Sequence, residues 1–146
     1  MRLTEKPQFQ EFHIEGVKHI SPFDTFDTLK SGNAILIDVR EENEVLADYV
    51  PLDNVLNHPM SVIVDRLPFI SKEQNIILAC PGGVRSSKVA NLLNVQGYTH
   101  VANLDGGLTK WKEDGLPYYM NNKASSNNCC CPGSTLSGSG DGSSCC

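Results

Sequence analysis

Between residues 17 and 120, short apolar runs alternate with stretches of helical period. Ile76-Ile77-Leu78-Ala79 is continuously apolar, which fits a strand buried on both faces of a parallel sheet. The segment Cys80-Pro81-Gly82-Gly83-Val84-Arg85 follows it and leads into a helical pattern. There Ser86 or Ser87 can serve as N-cap, and Val89, Ala90, Leu92 and Leu93, extended to Val95, form one stripe. Gln96-Gly97 reads as the end of that helix, with glycine just past it.

The same reading places other elements on either side. Residues 17–20 suit a short edge strand, and Ser21-Pro22 an N-cap and first helical position, with Asp24 in the first turn and the helix ending at Lys30 before Gly32. Residues 33–38 form the next strand, which delivers Asp38 to its end, and residues 54–57 another. Val62, Ile63, Leu67 and Phe69 suggest a short helix, and residues 100–104 the last strand. Gly106-Gly107 then starts a final helix that buries Leu108 and Trp111 before Gly115 stops it. Residues 1–16 show no sustained period and read as an arm, with Phe9, Phe12 and Ile14 to pack it against the domain. From Asn121 onward the chain is Asn, Ser, Gly and Cys with Leu136 as its large apolar residue, a composition that predicts a flexible tail over 121–146. Alternating strands and helices over 17–120 make one α/β domain.

Composition narrows the function. A net charge of -5 without a basic stripe argues against nucleic acid or an anionic membrane surface as the main partner. Nothing in the folded part reads as a membrane span, and the polar amino terminus argues against a secretory signal, so the expected location is cytoplasmic. Of six cysteines only Cys80 lies in the folded part, which excludes an internal disulfide there and points to a reactive thiol. His13, His19, His58 and His100 are scattered without ligand spacing, and Gly82-Gly83 lacks the lysine of a phosphate-binding P-loop.

Cys80 is thus the candidate nucleophile, at the carboxyl end of a strand and facing the amino end of a helix, where open α/β sheets hold ligands. Gly82 and Gly83 let the backbone bend so that successive N–H groups point inward, and the helix terminus with Arg85 favours the thiolate and any anion bound to it. That role requires the sulfur to be reachable from solvent and its surrounding amides to face it. Asp38 and Arg40 are expected to support the loop through hydrogen bonds or an ion pair, whereas Glu41, Glu42 and Glu44 read as solvated charges and His58 as an exposed loop residue.

Three pieces in order carry a resemblance. Leu36-Ile37-Asp38-Val39-Arg40-Glu41, the loop from Cys80 to Ser87, and Leu104-Asp105-Gly106-Gly107-Leu108-Thr109-Lys110-Trp111 with Gly115-Leu116-Pro117 together resemble the rhodanese (sulfurtransferase) family over roughly positions 17 to 120. The resemblance implies a three-layer sandwich, a central mainly parallel sheet with helices on both faces. It also implies a sulfurtransferase that carries sulfane sulfur as a persulfide on Cys80. Gly82, Gly83, Val84, Arg85 and Ser86 would bind substrate, without metal or organic cofactor. The donor would be thiosulfate or a thiol or protein persulfide, and the acceptor a thiol or cyanide, with a thioredoxin-like or sulfur-carrier protein as candidate partner. Residues 47–60 depart from the family's Gly-His-Ile element and its following segment, which leaves the pocket wall undefined. The alternatives are a non-enzymatic docking or regulatory module and, with less support, a cysteine-dependent phosphatase or arsenate reductase. Those have five residues between Cys and Arg where this chain has four.

The tail holds the other thiols, Cys129, Cys130, Cys131, Cys145 and Cys146. They are the only metal candidates and lack the usual Cys-x-x-Cys spacing. A tethered sulfur or metal relay, lipid attachment at the terminal Cys-Cys (the one route to a membrane), and an appendage forming adventitious disulfides are the three readings of this segment.

Overall fold

The computed structural model describes residues 2–120 of the chain. Its strands are β1 (Lys18–Ile20), β2 (Ile35–Asp38), β3 (Asp48–Tyr49), β4 (Val55–Asn57), β5 (Ile76–Ala79), β6 (Val101–Leu104) and β7 (Tyr119–Met120). The helices are α1 (Pro22–Lys30), α2 (Glu42–Ala47), α3 (Ile63–Arg66), α4 (Val84–Val95) and α5 (Gly107–Glu113), with a 3-10 turn at Leu67–Phe69 after α3. Five strands form one parallel sheet in the order β1-β6-β5-β2-β4, and β3 pairs with β7 in a separate antiparallel ribbon. Parallel strands need crossovers, and the intervening helices supply them on both faces.

Side-chain alternation sorts the core into two layers. Ile37, Ile76 and Leu78 join Val89, Ala90 and Leu93 of α4 and Ile63 of α3 on one face. Leu36, Ile77, Ala79 and Leu104 join Leu29 of α1 and Leu108 and Trp111 of α5 on the other. The chain is therefore a three-layer α/β sandwich around a parallel sheet, with β5 fully buried between the helix layers. Trp111 is buried, meets Phe26 edge-on and donates its indole N–H to the Pro117 carbonyl at 2.8 Å.

Most elements lie where the pattern puts them, and the differences have local causes. Ser21 caps α1, its hydroxyl accepting the Asp24 N–H at 3.2 Å ahead of Pro22. Helix α4 begins at Val84, earlier than a Ser86 or Ser87 cap implies, because Gly83 at φ +85° turns the chain into the helix. Both serines are then inside the first turn and buried. Val95 and Phe69 point to solvent and leave the stripes assigned to them, Phe69 being 85% exposed. Strand β2 starts at Ile35, and β6 at Val101 is followed by the short β7, so it is not the last strand. The tail expected over 121–146, with its five cysteines, lies outside the described residues. No helix among those described is long and apolar enough to cross a membrane.

The arm is tied down by hydrogen bonds. Thr4 exchanges both backbone hydrogen bonds with His19 of β1 at 2.8 Å, and the Gln8 and Phe9 N–H groups donate to the Asp105 carboxylate at 2.7 and 3.0 Å. Ile14 packs against the α4-side core.

Candidate active site

Strand β5 ends at Ala79 and hands Cys80 to a short loop before α4. Two backbone donors converge on Sγ, the Gly83 N–H at 3.1 Å and the Ser86 N–H at 3.4 Å, and the Ser86 hydroxyl lies 3.3 Å away. The amides therefore turn inward as the chemistry needs. The loop carbonyls face the other way: Leu108 N–H donates to the Cys80 carbonyl at 2.8 Å and Thr109 N–H to that of Pro81 at 3.0 Å. Helix α5 can come this close because Gly107 has no side chain, and a Cβ there would lie 2.5 Å from the Cys80 oxygen. Both faces of the loop are thus pinned, one by α4 and one by the first turn of α5.

One expectation about this loop fails. Cys80 is only 1% exposed, so the sulfur is enclosed in the resting structure and not open at the mouth of the sheet. Gly82 and Val84 face solvent and make no hydrogen bond to the sulfur, so of the expected substrate-binding residues only Gly83 and Ser86 touch Sγ.

Arg85 lies at the start of α4 but is already occupied. Its two terminal nitrogens donate to the two Glu44 oxygens at 3.0 Å each. That hydrogen bonding holds the Glu44 carboxyl down at about 2, and raises Arg85 above its ordinary value. Glu44 is therefore not a solvated charge. It belongs to α2, where Glu41 and Glu44 form a capping box, and Glu41 also accepts from the Ser61 hydroxyl at 2.8 Å. Glu42 lies in the same first turn.

Beneath α2 lies a buried ion cluster. Arg40, 4% exposed, donates from Nε to both Asp38 oxygens at 3.0 Å and from Nη2 to Oδ2 at 2.7 Å. It also reaches the Asp48 carboxylate at 3.0 Å and the Asp48 carbonyl at 2.8 Å. Burial opposes the charge on Arg40, but hydrogen bonds and the charge of Asp38, then the hydrogen bond to Asp48, outweigh it and raise its pKa. Asp38 and Arg40 thus act on the loop indirectly. Neither is hydrogen-bonded to the loop: Arg40 ties Asp48, the C-cap of α2, to Asp38 at the end of β2, and α2 carries Glu44, the partner of Arg85.

A profile of the rhodanese-like domain matches residues 25–114 of this chain. The chain belongs to the rhodanese-like family. It is 34% identical over 85 residues to a sulfurtransferase of Allochromatium vinosum, covering 58% of this chain and 78% of that one. It is 30% identical over 95 residues to the thiosulfate sulfurtransferase GlpE of Pseudoalteromonas translucida, covering 65% and 89%. Among solved structures, a rhodanese-like domain protein of Staphylococcus aureus superposes with a TM-score of 0.60 at 31% identity, covering 70% of this chain and 97% of the other.

Within this rhodanese-like domain, the divergent residues 47–60 still close the sheet. Asn57 donates from Nδ2 to the Asp38 and Arg40 carbonyls at 2.9 Å each, and β4 pairs with β2. His58 is half-buried beside Arg66, with Nδ1 3.3 Å from Arg66 Nη1, and burial followed by the Arg66 charge lowers its pKa. It has no contact with the Cys80 sulfur.

Three residues near the loop are not among the site candidates that the sequence supplies. Asn103 of β6 and His19 of β1 sit side by side in register on the α4 face, both buried, and Asn103 Nδ2 lies 3.0 Å from His19 Nδ1. Asn103 Oδ1 accepts from the Ser86 hydroxyl, which links the pair to the Cys80 sulfur. Gln10 of the arm packs directly on Gly83, where a Cβ would collide with its Oε1. A polar side chain interrupting an otherwise apolar strand, as Asn103 does, was the available signal.

Proposed function

We propose that the protein is a sulfurtransferase in which Cys80 carries a sulfane sulfur between donor and acceptor. The observation that carries this reading is the convergence of the Gly83 and Ser86 N–H groups on Sγ, which stabilises negative charge on a thiolate or a persulfide. The sulfurtransferase names of two relatives that align along most of their length support it. In the first half-reaction the Cys80 thiolate attacks the outer sulfur of the donor. The donor S–S bond breaks, its electron pair leaves with the departing group, and a persulfide anion remains on Cys80. In the second, a thiolate or cyanide attacks the terminal sulfur and the Cys80 thiolate departs. The oxidation state of Cys80 is restored each cycle, so no external redox partner is needed. A thioredoxin-like or sulfur-carrier protein in a reducing, cytoplasmic setting would be a suitable acceptor.

Because Cys80 is 1% exposed, a donor must displace covering groups before it reacts. Arg85 can orient an anionic donor only by giving up Glu44, so neutral or protein-borne persulfides are favoured over thiosulfate. The pairing equally argues against a phosphatase or arsenate reductase, which would need that guanidinium for its oxyanion.

The test is mass spectrometry of the full chain after exposure to thiosulfate or polysulfide. A gain of one sulfur atom on the peptide containing Cys80, lost in Cys80→Ser together with turnover, is expected. If no donor loads Cys80, the enclosed sulfur and the engaged Arg85 favour a second reading, a non-enzymatic docking module.

A further inference from the structure

We propose that Gln10 and Asn103 are positioning residues for Cys80, which hold the Ser86 hydroxyl turned away from the sulfur. The inference rests on Cys80 being the reacting group, and three backbone groups whose roles cannot change anchor the network. The Gly106 N–H is a donor, and it meets Gln10 Oε1 at 2.9 Å. The Gly83 and Phe12 carbonyls are acceptors, and they meet Gln10 Nε2 at 3.3 and 2.8 Å. The orientation of the Gln10 amide is thereby fixed.

Gln10 in turn fixes Asn103. The Asn103 atom 3.0 Å from Gln10 Oε1 must donate, so it is Nδ2, and Oδ1 must face Ser86. A serine hydroxyl has a single hydrogen, and that of Ser86 goes to Asn103 Oδ1. Toward Sγ, 3.3 Å away, Ser86 Oγ then offers only lone pairs. They can accept from an S–H but oppose the thiolate that the Gly83 and Ser86 N–H groups favour.

The far end of the chain agrees. The second Nδ2 hydrogen of Asn103 points at His19 Nδ1, which must be unprotonated, so His19 carries its hydrogen on Nε2 and donates it to His13 Nδ1 at 2.9 Å. A neutral His19 fits its burial, which lowers its pKa; the Asp105 charge opposes that effect and His13 adds to it. The charged and titratable groups around the loop include Arg85 on α4 with its partner Glu44 on α2, Arg40 after β2, Asp105 before α5, Lys110 on α5, His19 on β1 and His13 on the arm. None of them is altered in the variants below.

The arm therefore sets the hydrogen-bond polarity at the nucleophile. When Gln10 is lost, Asn103 keeps only its His19 anchor, and once His19 shifts its hydrogen to Nδ1 and accepts from His13 Nδ1 through Nε2, the amide can turn and donate to Ser86 Oγ, which releases the hydroxyl hydrogen toward the sulfur. Asn103→Ala releases it directly.

The test is the pH–rate profile for iodoacetamide alkylation of the full chain, read on the tryptic peptide spanning residues 73–85 so that only Cys80 is counted. Gln10→Ala and Asn103→Ala are expected to move the profile to lower pH, with a several-fold faster rate at neutral pH, and in a Ser86→Ala background neither substitution should move the profile further. Better access alone would raise the rate without moving the profile. Gln10 is half-buried on the arm, so its variant decides the matter if Asn103→Ala fails to fold. The proposal is overturned if Gln10→Ala leaves the profile in place, if Gln10→Ala or Asn103→Ala still moves the profile relative to Ser86→Ala when added to it, or if Ser86→Ala alone moves the profile to higher pH. A chain that loads no sulfur yet alkylates in this pattern overturns only the sulfur-transfer reading.

Discussion

Arg40 offers the sharpest test of how the loop is supported. Replacing it with leucine removes three hydrogen-bond contacts to Asp38 and two to Asp48, and leaves the Asp38 carboxylate, 3% exposed, with the Arg40 backbone N–H at 3.0 Å. Breaking a buried pair from one side costs about 3–5 kcal/mol, and the surviving backbone donor puts this case near 3 kcal/mol. With a urea m-value of about 2 kcal/mol/M, the unfolding midpoint should fall by roughly 1.5 M. The double variant Asp38→Asn/Arg40→Leu removes the stranded charge and should recover at least about 1 kcal/mol of that loss. Urea unfolding followed by tryptophan fluorescence reports both, since Trp111 is fully buried in the folded protein and becomes exposed on unfolding. A loss below about 1 kcal/mol in the single variant, or a double variant no more stable than the single, would refute the clamp argument.

Two further substitutions probe the loop itself. Gly83→Ala forces a side chain into a φ of +85° and onto Gln10, and should cost about 1–2 kcal/mol while detaching the arm, seen as faster proteolysis within residues 5–16. Unchanged stability and protection would count against the close packing. Glu44→Gln frees Arg85 and should lower the KM for thiosulfate several-fold with little change in kcat; an unchanged KM would mean that Glu44 does not compete with the donor. Its cost in stability should stay near 0.5–1 kcal/mol because both side chains are about one-third exposed, 33% for Glu44 and 36% for Arg85. The folded-state pKa of Glu44 is depressed from 4.5 to about 2, so its contribution is complete above 4.5 and disappears as pH falls through about 2. The stability difference between parent and variant should therefore shrink over that window.

The sequence revealed the frame of the fold more readily than the environment of the sulfur. Ser21-Pro22, the apolar run at Ile76–Ala79 and the Gly97 stop are local signals, read from neighbours a few residues apart. Helix α2 escaped notice because it is short and none of its residues is buried, so it has no apolar stripe, and Glu44 gains its meaning from Arg85, which is remote in sequence. Gln10 sits in a polar stretch and meets Gly83 and Gly106 only through the fold. Ser86 looked like a cap because serine often is one, but its hydroxyl is claimed by Asn103 and the left-handed Gly83 makes the turn. Enclosure of Cys80 depends on all of these contacts together, which is why no local pattern foretold it.

The backbone pairing of Thr4 with His19 bears on where a minimal version of this protein can be cut. Strand β1 forms one border of the sheet, and the arm lies along it. A fragment starting at residue 17 would keep every strand of the five-stranded sheet yet leave the His19 N–H and C=O on its border unpaired and open to any second copy it met, and such borders invite self-association. Residues before the conventional start of the fold thus act as a guard rail against aggregation.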